Sequence, residues 1–115
     1  MFKDWYLPSL IEVDLIYQYD KTFKPELYWV SDEHKNNSYA YARKMDTGFV
    51  GVVNKDAELN IRGIRNSIRK FEPELGSIGD AGGIVFKTEY LKQGFYKYWE
   101  VNPVDLKGKW YELVS

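Results

Sequence analysis

The hydrophobic period of this chain changes twice, and that change limits the folds open to it more than any single motif does. Residues 10–19, LIEVDLIYQY, alternate: Ile11, Val13, Leu15, Tyr17 and Tyr19 share one parity, while Glu12, Asp14 and Gln18 share the other. This is the period of a strand with one buried face. After the turn-like DKTFKP come ELYWVS, the polar turn DEHKNN, SYAYARKM, a tight DTG and FVGVVN. They read as three further strands with short connections, an antiparallel meander.

Over residues 57–71 the spacing becomes helical. Ile61, Ile64, Ile68 and Phe71 fall at offsets 0, 3, 7 and 10, one stripe of an amphipathic helix. Asp56 suits an N-cap, Glu58 suits the first turn, and Pro73 ends the segment. Alternation then returns in GIVFKTEY, GFYKYWEV and KWYELV, with LKQG as a hairpin and NPVDLKG as a turn. The expected fold is therefore α+β. It has an antiparallel sheet of about seven strands, four before the helix and three after, with a single helix packed on it. At 115 residues one domain, 1–115, is expected.

The stretch GSIGDAGG, residues 76–83, holds four glycines. Phosphate cradles run from strand to loop to helix, so that free N–H groups at the helix start meet the anion. Here the expected order is helix, loop, strand, with no Gly-Lys-Ser/Thr signature, which disfavours a nucleotide loop. A backbone nest for some other anion remains open. The plainer expectation is an exposed, mobile connector with Asp80 at its crest.

Arg62, Arg65 and Arg69 sit at offsets 0, 3 and 7, one step round from the isoleucine stripe. Guanidinium forks in parallel suit carboxylates or phosphates, although a solvated helix face is the simpler reading. In FYKYWEV one parity buries Phe95, Trp99 and Val101 and turns Tyr96, Tyr98 and Glu100 outward, so Tyr96 and Tyr98 are candidate contact anchors. Glu12 and Asp14 head an acidic segment: residues 1–34 hold seven acids against three lysines. Such a patch suits a basic partner. The one histidine, His34, sits in a polar turn beside Asp32 and Glu33 and has no second histidine to share a metal.

Ten Tyr, six Phe and four Trp are an excess that suits contact surfaces, since large rings freeze few torsions. A formal net charge of −1 supplies no field drawing the chain to nucleic acid. The absence of cysteine excludes disulfides, thiolate metal sites and thiol nucleophiles, and fits a reducing, cytoplasmic setting. No signal-like or membrane-spanning apolar run is expected, and no cofactor or metal set is legible.

The expected function is a non-catalytic protein-binding domain of the small inhibitor, immunity (antitoxin-like) or phage anti-host type. Its partner is expected to be a toxin, a nuclease or a host-defence factor, and its contacts Arg62, Arg65, Arg69, Tyr96, Tyr98, Glu12 and Asp14. The alternatives are a small enzyme using Arg, Tyr and carboxylate groups on an anionic substrate, and a nucleic-acid module using the Arg stripe and the tyrosines.

Overall fold

Residues Leu10–Tyr19 form a helix, α1, where alternation predicted a strand. Two periods coexist in this segment, and the helical one decides the structure. Val13 and Ile16 are buried one turn apart, whereas Ile11, on the expected buried parity, is 77% exposed. The start is fixed by a capping box. The Ser9 side chain accepts the Glu12 backbone N–H at 3.2 Å, and the Glu12 carboxylate accepts the Ser9 N–H at 2.9 Å. Ser-x-x-Glu directly before an apolar segment is a helix-start signature, and it outranks five alternating residues.

The computed structural model describes residues 4–112, and α1 packs there between two sheets. The first has five strands in the order β3-β2-β1-β4-β8: β1 Leu27–Glu33, β2 Tyr39–Lys44, β3 Val50–Asn54, β4 Leu59–Ile61 and β8 Leu106–Gly108. It is mixed, because β1 and β4 run parallel at Tyr28↔Asn60. The second sheet is antiparallel, in the order β5-β7-β6: β5 Ile64–Lys70, β6 Ile84–Lys92 and β7 Phe95–Val101. The class is α+β as expected, but the single seven-stranded antiparallel sheet is corrected to two sheets, one of them mixed.

The expected helix over 57–71 is replaced by β4, a crossing at Arg62–Gly63, and β5. The isoleucines serve a strand instead: Ile64, Asn66, Ile68 and Lys70 lie on one face, and Arg65, Ser67 and Arg69 on the other. β-Branched Ile, together with Asn and Gly63, favours a strand or a break over a helix interior. Pairing with all seven residues of β7 then settles the local contest. Most of the segment KWYELV is also corrected. Residues Trp110–Glu112 make a 3-10 turn, while residues 113 and 114 lie outside the described residues.

Three apolar clusters hold the layers together. Val13 of α1 meets Tyr28, Val30 and Met45 on one face of the five-stranded sheet. Trp29, Ala40, Ala42, Ile61 and Trp110 fill the other face. Ile16 meets Ile64, Phe86, Trp99 and Val101 of the three-stranded sheet. Two of the three buried indoles find backbone acceptors, as buried Trp usually does: Trp29 donates to the Gly108 carbonyl at 3.0 Å and Trp110 to the Val30 carbonyl at 2.8 Å. A bridge between Tyr6 and Ile64 ties the segment before α1 to β5.

Because α1 touches both sheets, its start matters to the whole. Ser9→Ala is expected to destabilise the protein by about 1 kcal/mol, read as a lower urea midpoint with an unchanged slope. A change within error would show that tertiary packing alone fixes the helix start.

Candidate functional site

One face of the three-stranded sheet carries Arg65, Arg69, Tyr96, Tyr98 and Glu100, and GSIGDAGG lies across it. The loop follows β5 rather than a helix, and it is organised around the Glu100 side chain, which is 0% exposed. That carboxylate accepts the backbone N–H of Gly83 at 2.8 Å and of Ala81 at 3.2 Å, and takes Nη1 of Arg65 at 3.2 Å. The loop is thus an anion nest whose anion belongs to the chain itself. Two glycines are required by close approach. A Cβ on Gly79 would stand 2.6 Å from the Glu100 carboxyl carbon, and one on Gly83 would overlap the Val101 carbonyl oxygen. The loop is pinned again at Asp80, whose N–H donates to the Tyr98 hydroxyl at 3.2 Å and whose carboxylate meets Arg69 at 3.2 Å. The expected free connector is corrected to a packed cover with Asp80 as one of its fastenings.

The expected contact residues separate accordingly. Arg65 is buried between Glu100 and Asp4, with Nε 3.0 Å from the Asp4 carboxylate. That hydrogen bond, first among its causes, holds the Asp4 carboxyl below the usual carboxylate range. Tyr98 is fully buried under the loop rather than outward, and burial pushes its phenol up. The parity deduced for β7 holds for Trp99 and Val101, which are buried, but Phe95, expected inside, is 40% exposed at the sheet's far end. Tyr96 packs edge-on against Tyr90, with ring centroids 5.2 Å apart. Glu12 serves the helix cap, and exposed Asp14 pairs with Arg43 of β2. Arg69 and Tyr96 thus share one face, whereas Glu12 and Asp14 stand on α1, apart from them.

Arg62 does not join Arg65 and Arg69. It sits at the crossing between the sheets, 4% exposed, with Nε 2.8 Å from Asp105 and Nη1 3.2 Å from Asp20 and 2.7 Å from the Thr22 hydroxyl. Its guanidinium lies 4.2 Å from the Phe23 ring centroid. Asp105 also accepts the Tyr28 hydroxyl at 2.8 Å. The cluster floors an open groove of about 690 Å³ walled by Tyr19, Lys21, Ile84 and Val104. Buried charge at the base of a groove is where chemistry is first sought, but the guanidinium here is already shared between two carboxylates. Burial, ahead of the Asp105 contact, pushes the Tyr28 phenol up to about 12.

The other face of the three-stranded sheet is covered by α1 only over its inner half. Beyond it lie two open cross-strand rows, Lys70–Phe95–Lys92 and Ile68–Lys97–Glu89. At its border is a third, Asn66–Trp99–Lys87, whose Trp99 is buried against Ile16 while Asn66 and Lys87 are half-buried. Ile68 is 61% exposed, and Phe71, just past β5, is 73% exposed with a left-handed φ of 69°. A non-glycine residue held there stores about 1–2 kcal/mol of strain. Sequence periodicity did not assemble this surface, because its lysines come from three strands. Among the described residues no three Asp, Glu or His side chains converge to hold a metal ion, and no helix is long and apolar enough to cross a membrane.

Two outcomes test the internal networks. Gly83→Ala is expected to cost about 3 kcal/mol, because overpacking cannot be relieved by a backbone carbonyl. Gly82→Ala, with φ +83° but open space around it, is expected to cost about 1 kcal/mol; equal losses in urea melts would refute the close-approach reading. For Tyr28 the folded value lies above the ordinary 10.0, so its contribution is intact below pH 10 and is lost as pH rises toward 12. Between about pH 9 and pH 12 the wild type is expected to lose more melting temperature than Tyr28→Phe; parallel curves would count against it.

Searches against protein families, curated proteins and solved structures found nothing that matches this chain.

Proposed function

We propose that the protein is a non-catalytic protein-binding domain that covers a partner's working surface, of the small inhibitor, immunity or phage anti-host type, acting in the cytoplasm. The observation that carries this reading is the open outer half of the three-stranded sheet. There Ile68, Phe71, Leu91 and Phe95 are exposed together, and Lys70, Lys92 and Lys97 stand beside them. Apolar anchors within a charged rim are the anatomy of a protein interface. An exposed Phe in a strained backbone fits the same role, because it offers a large ring at a fixed place. Arg69 and Tyr96 stand at the same end of the sheet but on its opposite face, and a toxin, a nuclease or a host-defence factor is the kind of partner proposed.

A second reading has its own observation. The groove over Arg62, with Asp20, Asp105 and Tyr28 at its base, suits a small enzyme acting on an anionic substrate. The network's mutual hydrogen bonds weigh against it, since a group that already holds two carboxylates has little left to bind a third.

The test is capture from the native host with the tagged chain, beside Ile68→Asp and Phe95→Ser, at exposed positions where folding tolerates change. A true partner is expected to be held at least about thirtyfold more weakly by each variant, the loss typical of an anchor worth about 2 kcal/mol. A partner held equally well by both would remove this surface from the reading. A folded chain that retains nothing, while small anions bind the groove and Arg62→Met abolishes that binding, would replace it with the second.

A further inference from the structure

We infer that the open face of the three-stranded sheet docks an acidic protein surface through Lys70, Lys87, Lys92 and Lys97, a conclusion that rests on the protein-binding reading and names the partner's chemistry. The three cross-strand rows bring four lysines and one acid, Glu89, onto a single patch. Neighbouring strands lie about 4.8 Å apart and alternate residues about 6.8 Å apart, so the ammonium groups stand close enough to raise a joint positive potential. Elsewhere Arg43, Lys55, Arg62, Arg65 and Arg69 are each matched to a carboxylate. The other described lysines without an ion pair, Lys21, Lys24, Lys35, Lys107 and Lys109, are not gathered on adjacent strand rows. None of the four lysines forms an ion pair among the described residues.

Two of them are also held in place. Lys87 and Lys97 lay their ammonium groups over the Trp99 ring at 4.3 Å and 5.0 Å. Cation–π contact reduces the torsional freedom that binding must otherwise freeze. The same contact decides between classes of polyanion. Single-stranded nucleic acid needs open aromatic faces on which bases stack, yet the Trp99 ring is covered by its two lysines and Phe95 is the remaining ring of the three rows. Ile68 in the middle row, and Phe71 and Leu91 beside the patch, suit aliphatic and aromatic protein side chains. The formal net charge of −1 further removes the long-range pull that nucleic-acid binders use. Carboxylates on a protein fit all of these observations together.

The experiment uses the full chain with two labelled probes at low ionic strength, an oligoglutamate peptide and an oligothymidylate single strand, followed by fluorescence anisotropy. Lys70→Gln/Lys92→Gln/Lys97→Gln is compared with Lys24→Gln/Lys35→Gln/Lys107→Gln, which removes the same charge elsewhere, after melting curves show both variants folded. The first triple is expected to weaken oligoglutamate binding about tenfold or more and the second about twofold or less, with wild-type affinity falling as salt rises. Equal losses in the two triples would overturn the proposal, because binding would then follow net charge rather than a site. Oligothymidylate binding tightly while oligoglutamate does not would overturn it in favour of nucleic acid, and binding of neither probe would overturn it outright. The protein-binding reading fails by a different readout, retention of the native partner by Ile68→Asp and Phe95→Ser.

Discussion

A carboxylate with no access to water has to be surrounded by donors, and burying Glu100 organises much of the second sheet. Its demands reach three parts of the chain at once: Arg65 on β5, the amides of Ala81 and Gly83 in the loop, and its own strand β7. Removing any one would leave buried charge uncompensated, which costs several kcal/mol. The glycines are therefore the geometric condition for donors to come close, and the loop's route is set by the anion beneath it. Replacing such a cluster with apolar groups often leaves stability unchanged or improves it, so its distinctive contribution is to fix which segment covers which face.

That assignment leaves the two faces of the sheet unlike. The loop closes over Tyr98 and Glu100, and Asp80 fastens it to Arg69. The opposite face receives α1 only along its inner half, where Ile16 meets Trp99 and Val101. A ten-residue helix is about 15 Å long, too short to seat against both sheets and also reach the far rows of β5, β6 and β7. What is left open is the end carrying Ile68, Phe95 and the lysines.

The sequence made most strands legible and exchanged the identities of two segments. Short alternating runs between polar turns located β1, β2, β3, β6 and β7, because half-buried strands repeat every two residues. Residues 10–19 and 61–71 satisfy both periods, and their types were decided by features outside the count. For α1 these were the Ser9–Glu12 box and the packing of Val13 and Ile16 against separate sheets. For β5 it was the register with β7. The box was readable in advance; the register was not, because strand pairing across about thirty residues leaves no local mark. The arginines followed the error, since offsets of 0, 3 and 7 share a helix face but divide once the backbone is a strand. The helix–loop–strand order expected around the glycine loop did not hold, since the loop follows β5, and its own anion, about twenty residues downstream, had no signature in the spacing. The lysine patch was hidden for the same reason.

The first sheet is assembled from both halves of the chain. Tyr28, Trp29 and Val30 of β1 find the partners of their polar groups at Asp105, Gly108 and Trp110, separations of 77, 79 and 80 residues. During synthesis β1 therefore emerges long before the groups that satisfy it, and until then it has α1, its hairpin with β2 and its short pairing with β4. Chain closure over such distances is the slow part of folding for sheets of this kind. The wait falls on a strand whose apolar face is meant for the core, so the nascent chain carries its most adhesive surface while it is least able to hide it.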